Sequence, residues 1–168
     1  MQLRFFEPIL DSEISEPDDA NHGVVINLAR AAEHFVAFDI LQRNWSCSVA
    51  AEGLRYDLIA EIDGPRRVQV KMSLRPNFRN PGVSKPYHRF GQTHGGQRPN
   101  GRRRRGDRLA DYIGDIDLFA FVAFDKKCVL YALPHTIQTN SLKIAAADFT
   151  PDRSELSWSE ALRFWGVE

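Results

Sequence analysis

Residues 116–124 read IDLFAFVAF, a nearly continuous apolar run bounded by Asp115 and Asp125. A strand with one face in water alternates apolar and polar residues, whereas a run of this kind marks a strand buried on both faces. The sheet that holds it must therefore be covered on both sides, which excludes a simple one-sided hairpin fold. Just downstream, CVLYALP reads as a second strand, joined to the first over Asp125-Lys126-Lys127.

Helical patterns lie at both ends of the chain. In VVINLARAAEHFVAFDILQRN, residues Val25, Leu28, Ala32, Phe35, Val36, Ile40 and Leu41 recur at spacings of three and four and form one apolar stripe. Asn21 or His22 precedes this helix, and Asn44-Trp45 ends it. SWSEALRFWGV places Trp158, Ala161, Leu162 and Trp165 at helical spacing, with Ser157 or Ser159 as cap and Glu160 three beyond Ser157. Between the two helices, SCSVA is short and β-prone, and YDLIAEI and RVQVKMS read as strands joined at Asp63-Gly64-Pro65. LRFFEPIL fits an edge strand and DRLADYIG a short helix. The expected fold is α/β or α+β, a mixed β-sheet flanked by helices. Its organisation is an acidic N-terminal arm over residues 1–22 and a single domain over residues 23–168. A long basic loop, residues 75–108, carries most of the glycine and proline and interrupts that domain.

The formal net charge is zero, yet the charge is segregated along the chain. Residues 1–63 carry 4 Lys/Arg against 12 Asp/Glu, residues 64–108 carry 13 against 1, and residues 109–168 carry 5 against 9. So basic a middle stretch repels itself unless it is solvated or meets a polyanion. Arg75, Arg79, Lys85, Arg89, Arg102, Arg103, Arg104 and Arg105 are interleaved there with Phe78, Tyr87, His88 and Phe90. Cationic side chains neutralise phosphates and aromatic planes stack on bases, so DNA is the expected partner. A flexible solvated loop is the plainer reading of the same composition. His88 and His94 lack an accompanying cysteine or acid and read as loop residues with at most a backbone or phosphate role.

The hairpin raises a sharper question. Side chains alternate along a strand, so Asp57 shares a face with Ile59 and Glu61, and Gln69 shares one with Lys71 and Ser73. If Leu58, Ala60 and Ile62 meet Val68, Val70 and Met72 on the apolar side, then Asp57, Gln69 and Lys71 converge at one end of the hairpin. A carboxylate and an amide carbonyl are hard oxygen donors suited to Mg²⁺. A neighbouring ammonium can orient or deprotonate a water or offset charge on a phosphoryl group. Glu33, with no Lys or Arg four residues on, is the candidate second carboxylate. Each residue has a duller role by itself: a solvated helix glutamate, a strand-start aspartate, an edge-guarding lysine. Glu61 is expected to pair with Arg66 or Arg67, and Asp115 and Asp117 to cap or brace the buried strand.

Taken in order, Glu33 on a helix, Tyr56-Asp57, then Gln69-Val70-Lys71 resemble the PD-(D/E)xK nuclease superfamily. The Gln-x-Lys variant (VQVK), followed by DIDLFAFVAF and VLYALP, is similar to its branch of group I intron-associated endonucleases, over roughly residues 23–134. The resemblance implies a restriction-endonuclease-like core and a metal-dependent DNA endonuclease of homing or restriction type. It also implies Asp57, Gln69, the Val70 carbonyl and Glu33 at a Mg²⁺ ion, for which Mn²⁺ would substitute, with Lys71 acting on the attacking water. Two other readings stand beside this one: an inactive nucleic-acid-binding module of the same fold, and a structural subunit whose basic loop binds an acidic partner. One active centre cuts one strand, so a homodimer or higher homo-oligomer is expected. No apolar run approaches the ~20 residues of a membrane span. An acidic N-terminus without a basic-then-apolar leader, and two distant cysteines, Cys47 and Cys128, fit a reducing cytoplasm.

Overall fold

A computed structural model describes residues 19–78, 85–91, 114–137 and 141–167, and for residues 19–26 the backbone alone. The elements in chain order are α1 (Asp19–Gln42), β1 (Ser46–Val49), β2 (Leu58–Glu61), β3 (Pro65–Ser73), β4 (Tyr87–Gly91), β5 (Leu118–Ala123), β6 (Cys128–Ala132), β7 (Ser141–Ala145) and α2 (Pro151–Phe164). The expected edge strand at LRFFEPIL and the helix at DRLADYIG lie outside the described residues.

Five strands form one mixed sheet in the order β1-β2-β3-β5-β6. All its pairs are antiparallel except β3 with β5, which run parallel with Val68 opposite Leu118 and Ser73 opposite Ala123. β5 sits inside this sheet, and all six of its residues are buried, as the apolar run requires. Alternation divides them between two cores. Leu118, Ala120 and Val122 face Ala32, Val36 and Ile40 of α1 and Trp158 and Ala161 of α2. Phe119, Phe121 and Ala123 face Phe90, Ile116, Ile137 and Phe149 on the other side. Both helices therefore cover one face of the sheet. The opposite face is covered by a two-stranded antiparallel ribbon of β4 and β7, with Leu142 and Ile144 packed on the second core.

Local chemistry explains the boundaries. Asn44 takes φ 64°, a left-handed conformation that asparagine tolerates, and stops α1 where expected. Asp63 and Gly64 also take positive φ, 48° and 100°, turning β2 back into β3. α2 starts earlier than the serines predicted: Thr150 is the cap, its hydroxyl accepts from the Arg153 N–H at 3.3 Å, and Pro151 opens the helix. Pro151 needs no backbone partner in the first turn, so the helix begins there and Ser157 and Ser159 lie within it. α1 likewise opens at Asp19, ahead of Asn21 and His22 and inside the stretch assigned to the N-terminal arm. Leu41, placed on the buried stripe, is exposed, while Ala37 is buried in its stead.

A polar cluster ties α1 to β6 and α2. The Tyr131 hydroxyl donates to Asp39 Oδ2 at 2.6 Å, and Arg43 Nε donates to the same oxygen at 3.0 Å. Arg43 also pairs with Glu155 and reaches Ser154 Oγ at 3.3 Å, its guanidinium lying over the Trp158 ring. Burial, together with the Asp39 charge, pushes the Tyr131 hydroxyl well above its ordinary range, so it stays a donor. Both cysteines are free, and burial pushes the Cys47 thiol up to about 11. Among the described residues no helix is long and apolar enough to cross a membrane.

Candidate active site

The hairpin register puts Leu58 opposite Val68, so Asp57, one residue outside β2, meets Gln69. Its backbone is fixed on both sides. The Asp57 N–H donates to the Val68 carbonyl at 2.9 Å, and its carbonyl accepts from the Ala50 N–H at 2.8 Å. The carboxylate then turns over the end of the hairpin. Asp57 Oδ2 accepts from the Val70 N–H at 2.7 Å and from the Gln69 side-chain amide. The Gln69 Nε2 lies 3.4 Å from the Val70 carbonyl as well, so the amide nitrogen bridges two oxygens. Gln69 is buried, and its Oε1 has no hydrogen-bond partner.

Glu33 and Lys71 complete the group, and both are half-buried. Burial raises the Glu33 carboxyl above its ordinary value, and the Asp57 charge raises it further against the smaller pull of Arg30 and His34. Burial lowers the Lys71 ammonium, and Asp57 opposes that shift. Asp57 and Gln69 are therefore in direct contact, and Glu33 and Lys71 both lie within the field of the Asp57 charge. They arrive from three elements, α1, the segment before β2, and β3. The Asp57 charge thus opposes ionisation of the Glu33 carboxyl.

The structure redistributes the remaining candidates. Val70 is buried, with its side chain in the helix-side core and its carbonyl at the Gln69 amide. Arg75, Lys85 and Arg89 are exposed. Arg79, His94 and Arg102 to Arg105 lie outside the described residues. Within the span assigned to a basic loop, Tyr87–Gly91 is strand β4. Its alternation in YHRFG is the signal that could have identified it, and the surrounding Gly and Pro masked it. His88 is accordingly not a loop residue. It is fully buried, its Nδ1 lies 3.0 Å from Ser73 Oγ, and its Nε2 lies 3.3 Å from Asp125 Oδ1 without the alignment of a hydrogen bond. The Ser73 hydroxyl also reaches the Arg75 carbonyl at 3.2 Å, so the direction of the His88–Ser73 hydrogen bond follows the His88 tautomer.

Glu61 is exposed and does not take the arginines assigned to it. Arg67 pairs with Asp117, Nε to Oδ2 at 3.0 Å and Nη2 to Oδ1 at 3.1 Å, while Arg66 lies over the Trp165 ring. Burial pushes the Asp117 carboxyl up, but the hydrogen bonds and charge of Arg67 outweigh it and hold the group below its ordinary value. Asp115 pairs with Arg55 at 2.8 Å. Both aspartates brace the entry to β5, as expected of them.

No family model and no curated protein matches the chain. Among solved structures, the bacterial homing endonuclease I-Ssp6803I superposes with a TM-score of 0.57 at 15% sequence identity, over 82% of this chain and 93% of that one. At that identity the likeness concerns the fold alone.

Proposed function

We propose that the chain is a divalent-metal-dependent endonuclease that hydrolyses phosphodiester bonds in DNA, of the homing or restriction kind. The observation that supports this most strongly is the Asp57–Gln69 contact at the end of the β2–β3 hairpin, with the Gln69 Oε1 buried beside it and both Glu33 and Lys71 within the field of the Asp57 charge. The shared fold with a homing endonuclease agrees with it.

The donor set fits Mg²⁺, with Mn²⁺ as substitute: two carboxylates, an amide oxygen and a backbone carbonyl are hard oxygens. The orphaned Gln69 Oε1 is the structural sign of this fit. Turning the amide by a half rotation exchanges its oxygen and nitrogen at little steric cost, and the oxygen then faces the place that the nitrogen bridges. Asp57, Gln69, the Val70 carbonyl and Glu33 would hold the ion. When bound, it would supply positive charge to a phosphoryl oxygen. The chain's own contribution is proton handling and orientation. Lys71, its ammonium disfavoured by burial, can take a proton from the attacking water or donate one hydrogen bond to fix it. Arg75 and Lys85 would neutralise backbone phosphates, and Arg89 would also lie against the DNA. A second copy of the chain would cut the second strand.

The test is nicking of supercoiled plasmid by the purified chain. The expected result is nicking that requires Mg²⁺ or Mn²⁺ and is lost in Lys71→Ala. Nicking at the same rate by that variant would refute the assignment. One contact favours an alternative reading, an inactive DNA-binding module: the Gln69 amide already satisfies Asp57 without a cation. That reading gains if the chain binds duplex with a steep salt dependence and neither ion gives any nicking.

A further inference from the structure

The β4–β7 ribbon has two unlike faces. His88 and Phe90 of β4 are buried, and Leu142 and Ile144 of β7 pack on the same core. Alternation sends Tyr87, Arg89 and Lys143 to the other face, where Arg89 and Lys143 are exposed. Arg89 stands directly opposite Lys143 in the antiparallel register. Like charges in register cost stability, and neither strand contains an acid to offset them. The two cations are also oriented. Arg89 Nε donates to Ser141 Oγ at 2.9 Å, which sets the plane of its fork, and Lys143 Nζ sits 5.1 Å from the centre of the Tyr87 ring.

The ribbon is seated on the sheet face that carries the candidate active site. Gln69, Lys71 and Ser73 alternate onto one side of β3, and Ser73 is the residue that His88 meets at 3.0 Å. His88 also lies against Asp125 in the β5–β6 turn and edge-on to Phe149, with ring centres 5.0 Å apart. Tyr87 is held on its other edge by Asn77, whose N–H donates to the Tyr87 carbonyl at 2.7 Å. The outward cations thus stand in a fixed relation to Lys71, two residues from Ser73.

We propose that the outer face of this ribbon enters the major groove of duplex DNA and reads bases there, with Arg89 forked onto a guanine edge and Lys143 beside it. A two-stranded ribbon is one of the two protein elements the major groove admits, and an arginine fork on the O6 and N7 of guanine is its commonest specific contact. The inference rests on the nuclease reading and adds an element that selects sequence. Lys143, outside the basic middle of the chain, becomes part of the DNA surface through its register with Arg89.

The test uses the full chain carrying Lys71→Ala, so that bound DNA stays intact, and a randomised duplex pool from which bound molecules are sequenced. The expected result is a shared motif. Arg89→Lys keeps the charge and removes the fork, so it should lose the preference for guanine at one position by about 10- to 100-fold. Lys143→Gln should weaken the preference at an adjacent position. A second measurement does not depend on variant folding: 7-deazaguanine at that position should weaken binding of the parent and leave Arg89→Lys unchanged. An unaltered motif in both variants, or deazaguanine without effect on the parent, overturns the proposal. If no motif emerges while the wild type still nicks plasmid, this inference falls and the nuclease reading stands. If DNA is neither bound nor nicked, both fall.

Discussion

His88 offers the most demanding test of the structure, because a residue expected in a solvated loop is instead fully buried between the sheet and the ribbon. His88→Ala removes the hydrogen bond with Ser73, about 0.5–1.5 kcal/mol. It also removes the edge-to-face contact with Phe149, about 0.5–1.5 kcal/mol, and it leaves a void among Phe90, Phe149 and Ser73. Together these amount to about 2–4 kcal/mol, a large part of the ~5–15 kcal/mol that holds a domain of this kind. With a urea slope of about 1–3 kcal/mol/M, the unfolding midpoint should fall by about 1–3 M. His88→Phe keeps most of the volume and should cost less. The pH dependence is a second signature. Burial lowers the His88 pKa below its ordinary 6.5, against the weaker pull of Asp125 and with a small further push from Lys126. Between the folded and unfolded values the unfolded chain binds more protons, so stability rises with pH in that window. The wild type should hold its full stability above about 6.5 and lose part of it as pH falls through the lowered folded value, while His88→Phe lacks that decline. Urea titrations at several pH values between neutral and mildly acid measure both effects. Equal midpoints for wild type and His88→Ala, or parallel pH profiles for wild type and His88→Phe, would refute the burial of this side chain.

The other expectations follow from the site and its supports. Asp57→Ala and Lys71→Ala should each abolish plasmid nicking while leaving the circular dichroism spectrum unchanged, since neither side chain enters the helix-side core. Gln69→Glu adds a carboxylate to the donor set and should tighten Mn²⁺ binding by titration calorimetry; unchanged affinity would mean that the side chain does not face the ion. Asp117→Asn should cost about 1 kcal/mol at neutral pH, a figure already reduced because the pair with Arg67 is partly exposed. Since the folded-state pKa of Asp117 lies below its ordinary 3.8, that difference should persist above about pH 4 and vanish as pH falls through the folded value in acid unfolding curves. Asp39→Ala leaves the Tyr131 hydroxyl buried without its acceptor and Arg43 without one partner, so a loss of about 2–4 kcal/mol is expected in thermal or urea unfolding.

Much of the molecule follows from local pattern alone. The apolar run at residues 116–124 demanded a strand covered on both sides, and the 3.6-residue stripes at either end demanded helices. Asp63-Gly64 demanded a turn, because few other pairs accept two successive positive φ angles. Those local facts also fixed which hairpin residues share a face, and hence that Asp57 meets Gln69 while Lys71 alternates onto the same side of β3. What local pattern could not decide is how distant segments are brought together. Both helices lie on one face of the sheet, and the other is closed by β4 and β7, strands 54 residues apart at their starts, Tyr87 and Ser141. Each is five residues long, too short for its periodicity to stand out beside glycine and proline. Their pairing is what buries His88, sets it against Ser73 and Asp125, and aligns Arg89 with Lys143. Periodicity records the environment of a residue along its own element. The partner across a sheet or between layers is chosen by the packing of the whole chain, and only the tertiary structure decides it.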